Sequence, residues 1–286
     1  MTIPPDPSPL IDAPALHGLQ DAPGLIVVDC RYELGNAAWG RNVYTKGHIP
    51  GALFASMDED LAGPRRSGSG RHPLPTAAAF AATLGRWGVT ASSHVVAYDQ
   101  GNGACAARLW WMLRAVRHRS VQVLDGGYAA WLAAGYGTDT MEPQAAPTVV
   151  PMREFSGVLS SEEVVAGLAA GNILLVDARA ADRFAGRNET IDPVAGHVPG
   201  AISHPFAGNL APSLQFLDRE QLQQRWAHVL DNPALAPVVS MCGSGITGCH
   251  NLLALELAGY RGARLYAGSY SEWITDPARP VAMGEQ

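Results

Sequence analysis

Short, largely apolar runs punctuate the chain: Leu25-Ile-Val-Val28, Val95-Val-Ala97, Ile173-Leu-Leu-Val176 and Val238-Val-Ser-Met241. Each is too short for a helix and is followed by polar or turn-forming residues, the mark of a strand buried on both faces. Helical signals lie between them. Thr76, after Pro75, caps a helix that runs to Leu84. Ser160-Ser-Glu-Glu163 and Asp218-Arg-Glu-Gln221 have the residues of a capping box, a side-chain acceptor followed three positions later by Glu or Gln. Leu252, Leu253, Leu255, Glu256 and Leu257 read as a helix closed by Gly259. Buried strands alternating with helices predict an α/β protein of mostly parallel sheets with helices on both faces. In such folds ligands bind beyond the carboxyl ends of the strands.

The pattern occurs twice. Leu25-Ile-Val-Val-Asp29-Cys30-Arg31 returns as Ile173-Leu-Leu-Val-Asp177-Ala178-Arg179, and Gly47-His-Ile-Pro-Gly-Ala52 as Gly196-His-Val-Pro-Gly-Ala201. Val95 to Asp99 aligns with Val238 to Cys242, and Leu124 to Trp131 with Leu265 to Trp273. Four matches in one order at nearly constant offset describe a duplication. The expected domains are 1–140 and 158–286, joined by a linker at 141–157 that carries Pro143, Gln144 and Pro147. His48 and His197 occur in both copies and read as parts of a Pro-Gly turn. Trp110, Trp111, Trp131 and Trp273 read as core.

A length of 286 residues accommodates two such domains. The net charge of −6 gives no reason to expect nucleic acid or anionic membranes as partners. Met1 to Leu10 has four prolines and no basic residue, unlike a signal or transit peptide, and no apolar run is long enough to span a bilayer. Cys30, Cys105, Cys242 and Cys249 have neither disulfide-framework nor zinc spacing, so no metal is expected and a reducing, cytoplasmic compartment is.

Candidate chemistry concentrates at Cys242. It falls between the end of a strand and the start of a helix, in Cys242-Gly243-Ser244-Gly245-Ile246-Thr247. Glycines let successive N–H groups turn inward, and the helix N-terminus adds partial positive charge; both favour a thiolate nucleophile. A buried structural cysteine beside an ordinary Gly-Ser-Gly turn has the same local sequence. In the first copy Asp99 stands in the place of Cys242. Cys249 reads as a small buried residue, the alternative being a disulfide with Cys242 that would switch the nucleophile off.

Together, the Asp-x-Arg, Gly-His-x-Pro-Gly-Ala and Trp-ending repeats with one cysteine loop resemble the tandem-domain rhodanese sulfurtransferases from about Gly24 to Trp273. The loop is similar to that of the 3-mercaptopyruvate sulfurtransferases; animal thiosulfate sulfurtransferases carry basic residues after the cysteine. Gly243 and Ser244 offer no charge for a dianion, which favours a monocarboxylate donor. The resemblance implies sulfur transfer from 3-mercaptopyruvate through a Cys242 persulfide to a thiol, cyanide or thioredoxin-like acceptor, with no cofactor. It leaves thiosulfate as the alternative donor. It further implies a Ser244–His72–Asp58 set assisting the cysteine, at a site between the two domains. Loop residues Gly243, Gly245, Ile246 and Thr247 would hold the persulfide, and Arg183 the donor carboxylate. Taken alone, His72 reads as an exposed loop histidine, Asp58 as a solvated acid and Arg183 as half of a surface ion pair. A second family arginine corresponds to Thr190 here, with Arg187 close enough to substitute.

Two other functions share parts of this pattern. A cysteine phosphatase needs Cys-x5-Arg, but the sixth residue past Cys242 is Gly248. A non-catalytic persulfide carrier would make the serine–histidine–aspartate set superfluous.

Overall fold

A computed structural model describes residues 8–230 and 236–285. Met1 to Pro7, most of the stretch compared above with signal peptides, lies outside the described residues. The chain forms two compact units. The first comprises residues 1–63, 75–156 and 212–215, and the second 64–74, 157–211 and 216–286.

In the first unit the strands are β1 (Leu10–Ile11), β2 (Leu25–Asp29), β3 (Leu53–Phe54), β4 (His94–Tyr98) and β5 (Val121–Leu124). The helices are α1 (Ala13–Leu19), α2 (Trp39–Lys46), α3 (Ala77–Arg86), α4 (Ala104–Ala115) and α5 (Gly127–Ala133). The second unit has β6 (Val158–Leu159), β7 (Leu174–Asp177), β8 (Ile202–Ser203), β9 (Val238–Met241) and β10 (Arg264–Tyr266). Its helices are α6 (Ser161–Ala169), α7 (Ala181–Phe184), α8 (Arg219–Leu230), α9 (Thr247–Leu257) and α10 (Ser269–Trp273). The sheet orders are β1-β5-β4-β2-β3 and β6-β10-β9-β7-β8, the same topology twice, with parallel pairing throughout. Every residue of β4, β5 and β9 is buried, so both faces of the central strands are covered, in keeping with their mostly apolar sequence.

Local chemistry sets the helix starts. Thr76 accepts from the Ala79 N–H, and Ser160 and Glu163 close a reciprocal capping box. Asp218 and Gln221 exchange the same pair of bonds at the head of α8. The duplicated motifs have a shared structural cause. Arg31 grips Asp29 and donates to the Gly47 carbonyl at 2.7 Å; Arg179 grips Asp177 and donates to the Gly196 carbonyl at 2.8 Å. Each Asp-x-Arg therefore ties a strand end to the Gly-His-x-Pro-Gly turn. All four charges are buried, and removing one partner of such a pair costs about 3–5 kcal/mol. His48 and His197 are fully buried against the carbonyls of Tyr44 and Phe184. Trp131 and Trp273 lie in the two hydrophobic cores, each donating to a nearby carbonyl. Among the described residues no helix is long and apolar enough to cross a membrane.

Candidate active site

The second unit gathers the candidate chemistry around the end of β9. Cys242 follows Met241 directly and is 2% exposed. Its sulfur receives the N–H groups of Ser244 at 3.4 Å and Gly245 at 3.1 Å. Two things turn these groups inward. Gly245 has φ +80°, which a side chain would resist. The loop carbonyls are also engaged from outside, because the first turn of α10 donates from Tyr270 to Cys242 and from Ser271 to Gly243, both at 2.9 Å. Helix α9 starts at Thr247, earlier than its leucines indicate, and it is buried nearly all round, which hides the amphipathic period.

The corresponding loop of the first unit shows what this shape prefers to hold. The Asp99 carboxylate accepts N–H groups from Gly101, Gly103, Cys105 and Ala106 at 2.9–3.3 Å. Burial raises the pKa of Asp99 in spite of these four donors. The same fold element holds a carboxylate in one copy and a thiol in the other.

Ser244 and His72 meet in the second unit. Ser244 Oγ and His72 Nδ1 are 2.8 Å apart, at 7% and 1% exposure. His72 is thus not an exposed loop histidine, and it belongs to the unit of Cys242 although its sequence position lies in the first repeat. The segment 64–74 is fastened to α10: the Arg71 N–H donates to Ser271 Oγ at 3.0 Å, and Thr275 Oγ1 donates to the Gly68 carbonyl at 3.4 Å. Gly70 permits this approach, since a Cβ there would lie 2.5 Å from the Gly268 carbonyl oxygen. Asp58 is exposed in the turn after β3 and belongs to the first unit.

Arg183, on α7, donates from Nε and Nη2 to Glu189 and from Nη2 to Asp192 at 3.0 Å. Burial works against the Glu189 carboxylate, but bonds from Arg183 and the N–H groups of Asp192 and Ile191 outweigh it and lower its pKa. Arg187 instead points to Glu285, in a pair exposed by 58% and 79%. Thr190 is exposed.

Three contributors were not foreseen. Arg71 pairs with Asp192, and its Nη2 lies 2.7 Å from the position of a Cβ on Gly243. The Arg183 Nη atoms lie 3.8 Å from that position, so the uncharged loop sequence has two guanidiniums beside it. Ser269 holds φ +56°, a conformation costly for a residue other than glycine, and its Oγ accepts the Cys242 N–H at 3.1 Å. Gly127 takes the same φ at the matching place in the first unit. Cys249 is fully buried and its thiol donates to the Gly245 carbonyl; none of Cys30, Cys105, Cys242 and Cys249 is in a disulfide.

Fold and site together define a duplicated α/β protein in which one copy presents a thiol and the other a carboxylate at the same strand end. The chain belongs to the rhodanese family, with matches to the Rhodanese-like domain at residues 12–134 and 160–276. It is 47% identical over 279 residues, 96% of this chain and 98% of the relative, to a "Probable 3-mercaptopyruvate sulfurtransferase" of Pseudomonas aeruginosa. A thiosulfate sulfurtransferase of Gallus gallus is 33% identical over 256 residues, 88% of this chain and 86% of that one. The solved structure of 3-mercaptopyruvate sulfurtransferase from Leishmania major matches with a TM-score of 0.81 at 29% identity, over 92% of this chain and 73% of that one. The relatives' names thus divide between two sulfur donors.

Proposed function

We propose that the chain is a sulfurtransferase that moves sulfur from 3-mercaptopyruvate through a Cys242 persulfide to a thiol or cyanide. The observation that carries this reading is a buried thiol receiving two loop N–H groups, beside a serine hydrogen-bonded to a buried histidine. The Cys242 thiolate attacks the donor sulfur and the carbon–sulfur bond breaks, its electron pair passing to carbon as the enolate of pyruvate. That carbon takes a proton from the Ser244 hydroxyl, which regains one from His72. The N–H groups of Ser244 and Gly245 hold the negative sulfur as an oxyanion hole holds oxygen. Gly243, Ile246 and Thr247 complete the loop, and Arg183 binds the donor's carboxylate. A thiol, cyanide or a thioredoxin-like dithiol then takes the outer sulfur, and the bond to Cys242 sulfur breaks in its turn. A nucleophile of this kind needs a reducing compartment, in keeping with four cysteines outside disulfides and a cytoplasmic location.

Thiosulfate is the second reading, favoured by the two guanidiniums beside Gly243. Its leaving group, sulfite, departs as an anion and needs no proton, so Ser244 and His72 would have no part in that half-reaction. Steady-state thiocyanate formation with each donor, on wild type and Cys242→Ser, separates the two. A higher kcat/KM with 3-mercaptopyruvate, abolished in Cys242→Ser, is expected. A higher value with thiosulfate would replace the donor, and a single equivalent of sulfur without turnover would replace the enzyme by a carrier.

A further inference from the structure

A cavity of about 540 Å³ lies in the first unit at the amino ends of β4 and β5, the end of the sheet opposite the Asp99 loop. Phe80 and Leu84 on α3, Val89 in the turn that follows, and Val116 just after α4 are all buried and give it an apolar wall. The linker supplies the facing wall through Val149, Val150, Pro151 and Arg153. It is fastened on either side of the cavity. The Thr148 N–H donates to the Gly85 carbonyl at 2.9 Å and its Oγ1 to the Val89 carbonyl at 2.6 Å. Further on, Ser156 donates from its N–H at 3.1 Å and its Oγ at 2.8 Å to the Ala115 carbonyl, and Phe155 stacks on Trp111. Between these fastenings residues 149–155 make no backbone–backbone hydrogen bond among the described residues, so the linker arches over the cavity without closing onto it.

Three exposed arginines, Arg117, Arg119 and Arg153, line the same cavity. Elsewhere in this unit Arg31, Arg41 and Arg86 are each matched to a carboxylate. The guanidiniums of Arg117, Arg119 and Arg153 have no such partner among the described residues, and Glu154, exposed beside Arg153, pairs with none of them. Helix α4 already has Arg114 in its last turn to meet its C-terminal partial charge. Arg117 moreover holds φ +67° in the position after the C-cap of α4, where glycine is usual. His118, half-buried on the same wall, has its pKa lowered by burial, so the positive charge here is that of the arginines.

We infer that this cavity is a binding site for a small amphipathic anion. The ligand's apolar body lies against Phe80, Leu84, Val89 and Val116, and its anionic head meets Arg117, Arg119 and Arg153. The volume is that of a small-molecule site, in which a mostly apolar lining holds the body and a few polar groups fix the orientation. Guanidinium forks suit a head with two or three oxygens. A bare inorganic anion would leave the apolar wall unused, and a neutral lipid the arginines. Nothing in the site depends on Cys242, which belongs to the other unit.

The test is calorimetric titration of the full chain with octanoate, 1-octanol and sulfate, at low and at high salt. One octanoate should bind per chain, at least about tenfold more tightly than either the alcohol or sulfate, and more weakly as salt is raised. Replacing the exposed pair together, Arg119→Gln with Arg153→Gln, should leave the melting temperature unchanged and weaken octanoate by about tenfold or more. Ala81→Leu, which fills the cavity from α3, should abolish binding. Octanoate binding at wild-type strength in the double arginine variant or in Ala81→Leu would overturn the site, as would no saturable binding or sulfate binding equally well. Displacement of octanoate by pyruvate would assign it to the Cys242 loop and overturn the site equally. Should Ala81→Leu fail to fold, the arginine variant decides alone.

Discussion

Replacing Ser244 by alanine deletes one hydroxyl from a buried pair, and the consequences differ between donors. The hydroxyl lies 2.8 Å from His72 Nδ1. Its loss takes away the last carrier of the proton that the departing enolate needs. A positioned general acid contributes about 10²–10⁴-fold, equivalent to about 2.7–5.5 kcal/mol of barrier. Turnover with 3-mercaptopyruvate should fall by that factor, chiefly in kcat. Sulfite leaves thiosulfate without a proton, so thiosulfate turnover should change little. The variant also deprives buried His72 Nδ1 of its hydroxyl partner, which costs about 1–3 kcal/mol of stability. Thiocyanate formation with each donor, at saturating cyanide, reads the first effect, and urea denaturation the second. An equal loss with both donors would mean that Ser244 acts on the sulfur of Cys242 rather than on the leaving group. An unchanged kcat with 3-mercaptopyruvate would refute the proton role.

Gly70→Ala places a Cβ 2.5 Å from the Gly268 carbonyl and 3.0 Å from Ser271 Oγ, so the segment carrying His72 must shift. Thermal melts should show about 1–3 kcal/mol of destabilisation, together with reduced kcat. Asp99→Ala leaves four buried N–H groups of the first unit without their acceptor and should cost at least about 3 kcal/mol by denaturant titration, with the kcat of the folded fraction retained. His204 in the second unit has its pKa pushed down to about 3 by burial, with Arg225 and His228 adding to it. Its neutral form is the folded one, so the stability it contributes is whole above the ordinary histidine pKa of 6.5 and is lost as pH falls from there toward 3. Denaturation at stepped pH should show that loss, reduced in a His204→Phe variant.

What was legible in the chain was local or repeated. The run Val238 to Met241 marks β9 because a strand buried on both faces must be mostly apolar, and its one polar residue, Ser240, donates to the Gly248 carbonyl. The paired Asp-x-Arg motifs are visible because each closes on a glycine carbonyl 16 or 17 positions on, at both copies. Capping at Thr76, Ser160 and Asp218 lies within three residues. The Cys242 loop stood out through its glycines, but the serine that receives its N–H did not. Ser269 occupies a glycine conformation under the pull of a tertiary hydrogen bond, which no local propensity records. Arg71 was hidden for a related reason: its partner Asp192 is 121 residues away, and the loop between Pro64 and Leu74 has no periodicity that would show its attachment to the second unit. Burial of His72 follows from that same attachment. The surface pair of Arg187 with Glu285 shows the converse, since nearness in sequence to α7 says little about the direction of a long side chain.

The central claim is that sulfur passes through Cys242. Reduced protein mixed with one equivalent of 3-mercaptopyruvate, without acceptor, should release one equivalent of pyruvate and gain the mass of one sulfur atom on the peptide containing Cys242. That mass should vanish on adding cyanide, with thiocyanate appearing in equal amount. Pyruvate release with no sulfur on Cys242, or the same release from Cys242→Ser, would contradict the account.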